Sequence, residues 1–326
     1  MIELPSSADG LRVVVIGDLI ADEYILGRVA RVSREAPVLI LEYSSTQVVP
    51  GGAGNAAANV AALGGRVTLV TLVGRDDAGR RVREALPAGV SRRGLLTPAG
   101  FQTPVKTRIL AGGVHSAKQQ VVRIDRMSPS RISAADRAAI RKAALAAIPS
   151  ADAVLMSDYG SGIVTPALGR AVGAAARRRG IPVLVDSRYA LTKFRGLTAC
   201  APNESEVEAV LGVDLDESPR ALEAAGRALL AQTRMRAVII TRGSRGMAVF
   251  EPDQPTLHLS IYGSDEIADV TGAGDTVMAT LTLAMAGGAS AADAARLANV
   301  AGGLVVMKRG TATVSKAELA KALAHA

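Results

Sequence analysis

The sequence predicts an α/β fold: a doubly wound, mostly parallel sheet with a small β lid. Three observations predict it. Short β-branched apolar runs alternate with segments of helix length, the pattern of strand–helix–strand units. Those runs end at polar residues, where ligands collect in such sheets. Two stretches, 23–49 and 102–124, break the alternation. They carry β-branched residues and alternating polarity without a long helix, and read as strands outside the main layer.

The elements follow in order. Val13-Val14-Val15-Ile16 is the first strand and ends at Gly17-Asp18. Pro50-Gly51-Gly52-Ala53-Gly54-Asn55 reads as a loop that feeds an alanine-rich helix over 56–63, stopped by Gly64-Gly65. A strand over 67–73 precedes Gly74 and Asp76-Asp77. A helix over 134–148 leads to Val154-Leu155-Met156, which ends at Ser157-Asp158. The helix over 166–179 closes on Arg177-Arg178-Arg179 and Gly180, with cations where the helix dipole favours them. A strand over 183–185 ends at Asp186, and a helix over 219–233 precedes a strand over 237–240 that ends at Thr241. Helix-like segments over 276–286 and 291–304 complete the order.

Composition narrows the function classes. At 326 residues and 49% hydrophobic, with 2% aromatics and no tryptophan, the chain has a sizeable and aliphatic core. The single cysteine, Cys200, excludes an internal disulfide and a cysteine-based zinc site, and reads as a small buried residue at a strand end. The net charge is +8, but it is dispersed, and no basic stretch is interleaved with aromatics. Nucleic acid is therefore not the expected partner, whereas a positive field suits an anionic small molecule. The first ten residues lack a signal-peptide pattern, and no apolar run approaches a membrane span. A cytoplasmic location, with no membrane partner, is the expectation. His115, His258 and His325 are scattered and fit no metal or relay pattern.

The chemistry concentrates in Asp269-Val270-Thr271-Gly272-Ala273-Gly274-Asp275, which runs straight into a helix. Glycines let a ligand approach the main chain, and the first N–H groups of a helix attract anions. Asp275 puts a carboxylate beside that anion site. It reads either as a base for an attacking hydroxyl or as the N-cap of the helix. The second glycine cluster, Gly51 to Asn55, offers bare backbone and one amide to a polyol. Neither cluster fits the P-loop or the dinucleotide fingerprint.

The two clusters, in this order, resemble the signatures of the ribokinase-like (PfkB) family of carbohydrate kinases. Between them, Asn203-Glu204-Ser205-Glu206 is similar to the family's Asn-x-x-Glu element, and Thr241-Arg242-Gly243-Ser244-Arg245-Gly246 to its nucleotide loop. The resemblance covers nearly the whole chain. A narrower likeness lies in Gly17-Asp18, Asp22-x-Tyr24, Gly27 and the stretch from Arg31 to Val38. Gln120 to Asp125 and Ser157-Asp158-Tyr159 extend it. These resemble the D-glycero-β-D-manno-heptose 7-phosphate kinases of ADP-heptose biosynthesis. The sequence departs from them at Ser33-Arg34, where Ser-Pro is usual, and at Ser187-Arg188-Tyr189, where Pro-Lys-Gly is usual.

The resemblance implies in-line phosphoryl transfer from ATP to a sugar hydroxyl, with Asp275 as base and the N–H groups of Gly272, Ala273 and Gly274 around the phosphoryl. Asn203, Glu204, Ser205 and Glu206 would serve the nucleotide, with Asn203 and Glu206 organising Mg²⁺ through water. Thr241, Gly243 and Gly246 would line the phosphates and ribose. Asn299 would approach the adenine, or is an exposed or capping amide. Asp269 and Thr271 would hold a monovalent cation such as K⁺, or form a turn. For the acceptor the candidates are Asp18, Gly51, Gly52 and Asn55, with Asp158 open in role. Lys106, Arg108, Arg123 and Arg188 are the cations for a sugar phosphate. A homodimer through the lid and the absence of a fused nucleotidyltransferase domain complete the expectation. A fructokinase- or ribokinase-type enzyme and a non-catalytic sugar- or nucleotide-binding regulator are the alternatives.

Overall fold

β1 (Arg12–Gly17) explains why a sheet covered on both faces forms here. Val13 and Val15 pack into one apolar cluster while Val14 and Ile16 pack into another, all of them buried. A strand apolar at consecutive positions is stable only when both faces are covered. The computed structural model describes residues 10–112, 118–127, 132–216, 218–263 and 269–325. His115 and the part of the predicted lid at 113–117 lie outside them.

After β1 come β2 (Leu19–Val32), β3 (Leu39–Gly52), α1 (Ala53–Ala62), β4 (Arg66–Leu72), α2 (Asp77–Ala85), β5 (Val90–Ser91), β6 (Leu95–Leu96), β7 (Val105–Gly112) and β8 (Gln119–Arg126). Next are α3 (Ala134–Ala147), β9 (Ala153–Asp158), α4 (Pro166–Arg179), β10 (Val183–Ser187), β11 (Ala199–Cys200), α5 (Glu204–Leu211), α6 (Pro219–Thr233) and β12 (Ala237–Thr241). The chain continues with β13 (Met247–Phe250), β14 (Leu257–Leu259), α7 (Ala273–Ala286), α8 (Ala291–Val306) and α9 (Lys316–Leu323).

The main sheet has the order β14-β13-β12-β11-β10-β9-β1-β4-β5, with β6 beside β4. It is parallel except at β13 and β14, which pair antiparallel at one edge. α1, α7 and α8 cover one face; α3, α4 and α6 cover the other. β1 lies between β9 and β4, so the winding reverses there. In such sheets the crevice at that reversal, at the carboxyl ends of the strands, is where ligands bind. The second sheet, β3-β2-β7-β8, is the lid. Cys200 is buried in β11, as the strand-end reading expects.

Two local expectations are corrected. Pro50-Gly51-Gly52 is not a loop but the end of β3, paired with Leu19, Ile20 and Ala21 of β2, and the helix begins directly at Ala53. Asp275 is not the N-cap of α7: Gly272 holds that place, at φ 78°, and Asp275 is the third residue of the helix. α2, α5 and α9 are short helices that apolar periodicity alone does not predict.

Candidate active site

α7 starts on a left-handed residue, which glycine tolerates best. A Cβ at Gly272 would also strike the Asn55 amide. The Ala273 N–H turns back to the Val270 carbonyl at 3.2 Å, which takes it away from the role expected for it. The N–H groups of Gly274 and Asp275 follow, in the first turn, where a helix has no carbonyl to offer. A Cβ on Gly274 would meet open space. That space belongs to a cleft of about 360 Å³. Gly272, Ala273, Gly274, Asp275, Thr241, Gly243, Gly246 and Asn299 all line it, with Asn203, Glu206, Tyr159, Asp186 and Arg188.

Asp275 is 4% exposed. The Asn55 amide donates to its Oδ2 at 2.8 Å and the Tyr159 hydroxyl donates to its Oδ1 at 3.1 Å. Burial pushes the Asp275 carboxyl up to about 7, against the pull of those two donors. Behind Asn55, Asn59 donates to Asn55 Oδ1 at 3.1 Å, and the Thr276 hydroxyl donates to Asn59 Oδ1 at 3.0 Å. Asn55 is therefore engaged in the seam between α1 and α7. That corrects its expected role toward sugar hydroxyls: its amide is turned to Asp275 and Asn59 instead.

Asp18 follows β1 and is 1% exposed. Its Oδ2 accepts the backbone N–H groups of Tyr159 at 2.8 Å and Ser161 at 3.2 Å, while Oδ1 is buried without a hydrogen-bond partner. Burial pushes this carboxyl up to about 6. Gly51 and Gly52 are buried close by, and a Cβ at Gly52 would strike the Asp18 carbonyl oxygen. Asp158 is committed elsewhere: Oδ1 accepts the Gly160 N–H at 3.0 Å and Oδ2 accepts the Ser187 hydroxyl at 2.7 Å. It ties β9 to β10 and is not a free cleft carboxylate.

The lid contributes charge. Its register pairs Lys106 with Asp22 and Asp125, and Arg108 with Tyr24 and Arg123, so these side chains share one face. Arg108 is taken up by buried Asp22 at 2.6 Å and lies over Tyr24, which removes it from the expected phosphate donors. Lys106 and Arg188 instead converge on Tyr159, 5.5 Å and 4.3 Å from its ring centre. Burial, then repulsion from Arg188 and Arg123, holds the Lys106 ammonium below its usual range. Arg123 also pairs with Asp125 at 2.9 Å. Lys106 and Arg188 thus share one ring, and Arg188 also lines the cleft with Asp275, Asp186 and Glu206.

On the nucleotide side, Glu204 pairs with Arg242 at 3.0 Å and Arg245 at 2.7 Å. It braces the 242–245 loop, which corrects its expected role toward the cofactor. Ser205 lines an outer recess with that loop. Asn203 and Glu206 form a reciprocal cap on α5, at 2.9 and 3.0 Å. Asn299 donates to the Ser260 carbonyl at 2.7 Å. Asp269 accepts the Thr271 and Gly310 N–H groups, each at 2.9 Å, and closes the turn before α7.

Two residues that the sequence reading names without a role stand in the site. Tyr159 bonds Asp275, and Asp186 is held well above the usual carboxylate range by burial and by the charges of Glu206 and Asp275. The signal that finds them is position: each stands at or just past the carboxyl end of a strand beside the reversal of winding.

A glycine-capped helix presenting a buried carboxylate to a cleft at the strand ends, under a cationic lid, defines a sugar phosphotransferase of the ribokinase fold. The family model for the pfkB family of carbohydrate kinases matches residues 11–318, and the chain belongs to that family. Among solved structures, Arabidopsis thaliana ribokinase complexed with ribose and ATP aligns with a TM-score of 0.72 at 22% identity, covering 97% of this chain and 98% of that one. Phosphofructokinase-2 from Escherichia coli in complex with fructose-6-phosphate aligns with a TM-score of 0.76 at 17% identity, covering 97% and 99%. These share the fold. By sequence, the bifunctional protein HldE of Caulobacter vibrioides is 43% identical over 320 residues, 97% of this chain and 64% of that protein. The bifunctional protein HldE of Geobacter metallireducens is 43% identical over 314 residues, 96% and 63%. The chain thus spans less than two thirds of the length of these relatives.

Proposed function

We propose that the protein transfers the γ-phosphoryl of ATP to the anomeric hydroxyl of D-glycero-β-D-manno-heptose 7-phosphate, making the 1,7-bisphosphate for ADP-heptose biosynthesis. One observation carries this reading: Lys106 and Arg188 converge on Tyr159, whose hydroxyl bonds Asp275, the base in this reading. A free sugar needs no such group, whereas a phosphate on the far end of the acceptor does. The similarity to the two HldE proteins supports the same reading.

The acceptor hydroxyl gives its proton to Asp275 as its oxygen attacks the γ-phosphorus, and ADP leaves. The N–H groups of Gly274 and Asp275, with the dipole of α7, meet the charge on the equatorial oxygens. Asn55 holds the carboxylate in place.

Mg²⁺ fits the nucleotide side. Asp186 is crowded by the charges of Glu206, Asp275 and Asp158, which a divalent cation would relieve. Among the described residues no three acidic, histidine or cysteine side chains are grouped to hold a metal by themselves. Asp186, Glu206 and Asn203 would therefore hold it partly through water and phosphate oxygens. When bound, the ion neutralises phosphate charge. K⁺ fits less well at Asp269 and Thr271. Both Asp269 oxygens already accept N–H groups, and the charge of Arg108 lies near. No step is assigned to it.

A homodimer through the lid is supported by its exposed apolar residues, among them Val29, Val32, Leu39, Tyr43, Val121 and Ile124. No helix among the described residues is long and apolar enough to cross a membrane, and a cytoplasmic location suits a reaction supplied by ATP.

The test compares kcat/KM for the heptose with and without its phosphate. Wild-type protein should favour the phosphorylated form by about 100-fold or more, and Arg188→Met should erase most of that preference by raising KM. Equal use of both acceptors by the wild type would overturn the reading.

A further inference from the structure

Tyr159 lies where an acceptor has to be. Its ring edge is 3.5 Å from where a Cβ of Gly52 would stand, and its hydroxyl occupies Asp275 Oδ1. Asp18, Gly51 and Gly52, which remain of the residues expected around a sugar, are all buried. Asp18 Oδ1 and the hydroxyls of Ser157 and Ser161 are buried too, and without hydrogen-bond partners. Buried polar atoms are rarely left so. Asp18 Oδ2 accepts the N–H groups of Tyr159 and Ser161, so its unpartnered Oδ1 marks an unfilled polar site next to Tyr159, whose ring reaches Gly52. The same ring carries Arg188 at 4.3 Å and Lys106 at 5.5 Å, both within cation–π range.

We propose that Tyr159 is the acceptor gate: in the absence of acceptor its ring fills the sugar pocket and its hydroxyl occupies the base, and the acceptor's phosphate opens it by drawing Arg188 and Lys106 off the ring. The proposal deepens the reading of a phosphorylated acceptor and rests on it for the opening step. The closed state has a chemical purpose. Water beside Asp275 would otherwise attack ATP: its oxygen would bond the γ-phosphorus, the bond to ADP would break, and Asp275 would take the proton. With the Tyr159 hydroxyl on the carboxylate, that idle hydrolysis is suppressed until a sugar arrives. An enzyme that assembles its site only around the right substrate gains specificity in this way. Tyr159 acts through Asp275 and is a positioning residue.

Two measurements on the full chain test this. The first is ATP hydrolysis with Mg²⁺ and no acceptor. Tyr159→Ala should raise it by about tenfold or more, part of the roughly 100- to 10,000-fold that a placed general base contributes. Adding Asp275→Asn should return it to the wild-type level, which locates the reaction at this base. Tyr159→Phe keeps the ring and should raise it less. Wild-type hydrolysis in a folded Tyr159→Ala protein would overturn the gate. This arm needs no acceptor, so it stands or falls independently of which sugar the enzyme uses.

The second uses the absence of native tryptophan. Tyr159→Trp makes a sole reporter on the gate. Its emission should move to longer wavelength when heptose 7-phosphate is added, and stay unchanged with the unphosphorylated heptose. If both arms fail, with Tyr159→Ala too unstable to assay and the tryptophan silent toward an acceptor that the wild type turns over, the gate is refuted. A silent tryptophan together with no wild-type turnover of heptose 7-phosphate refutes the acceptor reading instead, and the gate is then judged by hydrolysis in Tyr159→Phe.

Discussion

Asp275→Asn should make the protein more stable and nearly inactive, with both effects following from one buried carboxyl. Asp275 is moved from its usual 3.8 up to about 7, mainly by burial. Folding therefore favours the neutral form. Below pH of about 4 the group is protonated in both states and contributes nothing. Between about 4 and 7 the native state holds a proton the unfolded chain has lost, and stability falls as pH rises. Above about 7 the full penalty is present, roughly 4 kcal/mol for a displacement of this size. Asparagine removes the charge and keeps one oxygen for the Asn55 donor, while Tyr159 turns its hydroxyl to accept. The variant should gain about 2 kcal/mol at pH 8, or about 3 °C in melting temperature for a chain of this length, and nothing at pH 4. Both proteins carry Asp18 and Asp186, so the difference between their melting curves across pH isolates Asp275. Turnover should fall by about 100-fold or more, because the amide accepts no proton. A variant less stable than wild type at pH 8, or a gap that does not change with pH, would refute the assignment of a buried, unfavourably ionised base.

Other expectations follow from the same geometry. Asn55→Ala removes one donor to Asp275, so the acid limb of kcat against pH should move to higher pH, and stability should fall by about 1–3 kcal/mol as Asn59 loses its partner; an unmoved limb would mean that Asn55 does not orient the base. Gly272→Ala meets both a left-handed φ and the Asn55 amide, and should lower stability by about 1–3 kcal/mol in a denaturant titration. Gly274→Val meets open space on the protein side, so it should melt within a few degrees of wild type yet lose most turnover as its side chain enters the phosphoryl site. Normal kinetics in that protein would remove the main-chain cradle from the mechanism.

Much of the architecture was legible because buried parallel strands and amphipathic helices write themselves into local pattern. The bounds of α4 and α6 fall where Pro166, Gly180 and Pro219 put them, since proline suits a first turn and glycine a left-handed cap. The run from Val13 to Ile16 reads as a two-sided strand because every side chain in it is apolar. What was not legible depends on partners far away in the chain. Nothing local says that Asn55 turns to Asp275, or that Asp22 takes Arg108 and leaves Lys106 and Arg188 to share the Tyr159 ring. Glu204 reads as a motif acid and proves to be the counter-charge of Arg242 and Arg245. Tyr159 has no periodicity of its own. Only the meeting of β9, the lid and α7 gives it a role.

The central claim is that a phosphorylated heptose is the acceptor and its anomeric hydroxyl the nucleophile. The most direct measurement is ADP release with MgATP across D-glycero-D-manno-heptose 7-phosphate, the same heptose without phosphate, fructose 6-phosphate, ribose and adenosine, with the phosphorus NMR spectrum of each product. The account predicts that heptose 7-phosphate has the highest kcat/KM and yields a product with a second phosphate on the anomeric carbon. A higher kcat/KM for ribose, adenosine or the unphosphorylated heptose, or a product phosphorylated at another hydroxyl, would contradict it.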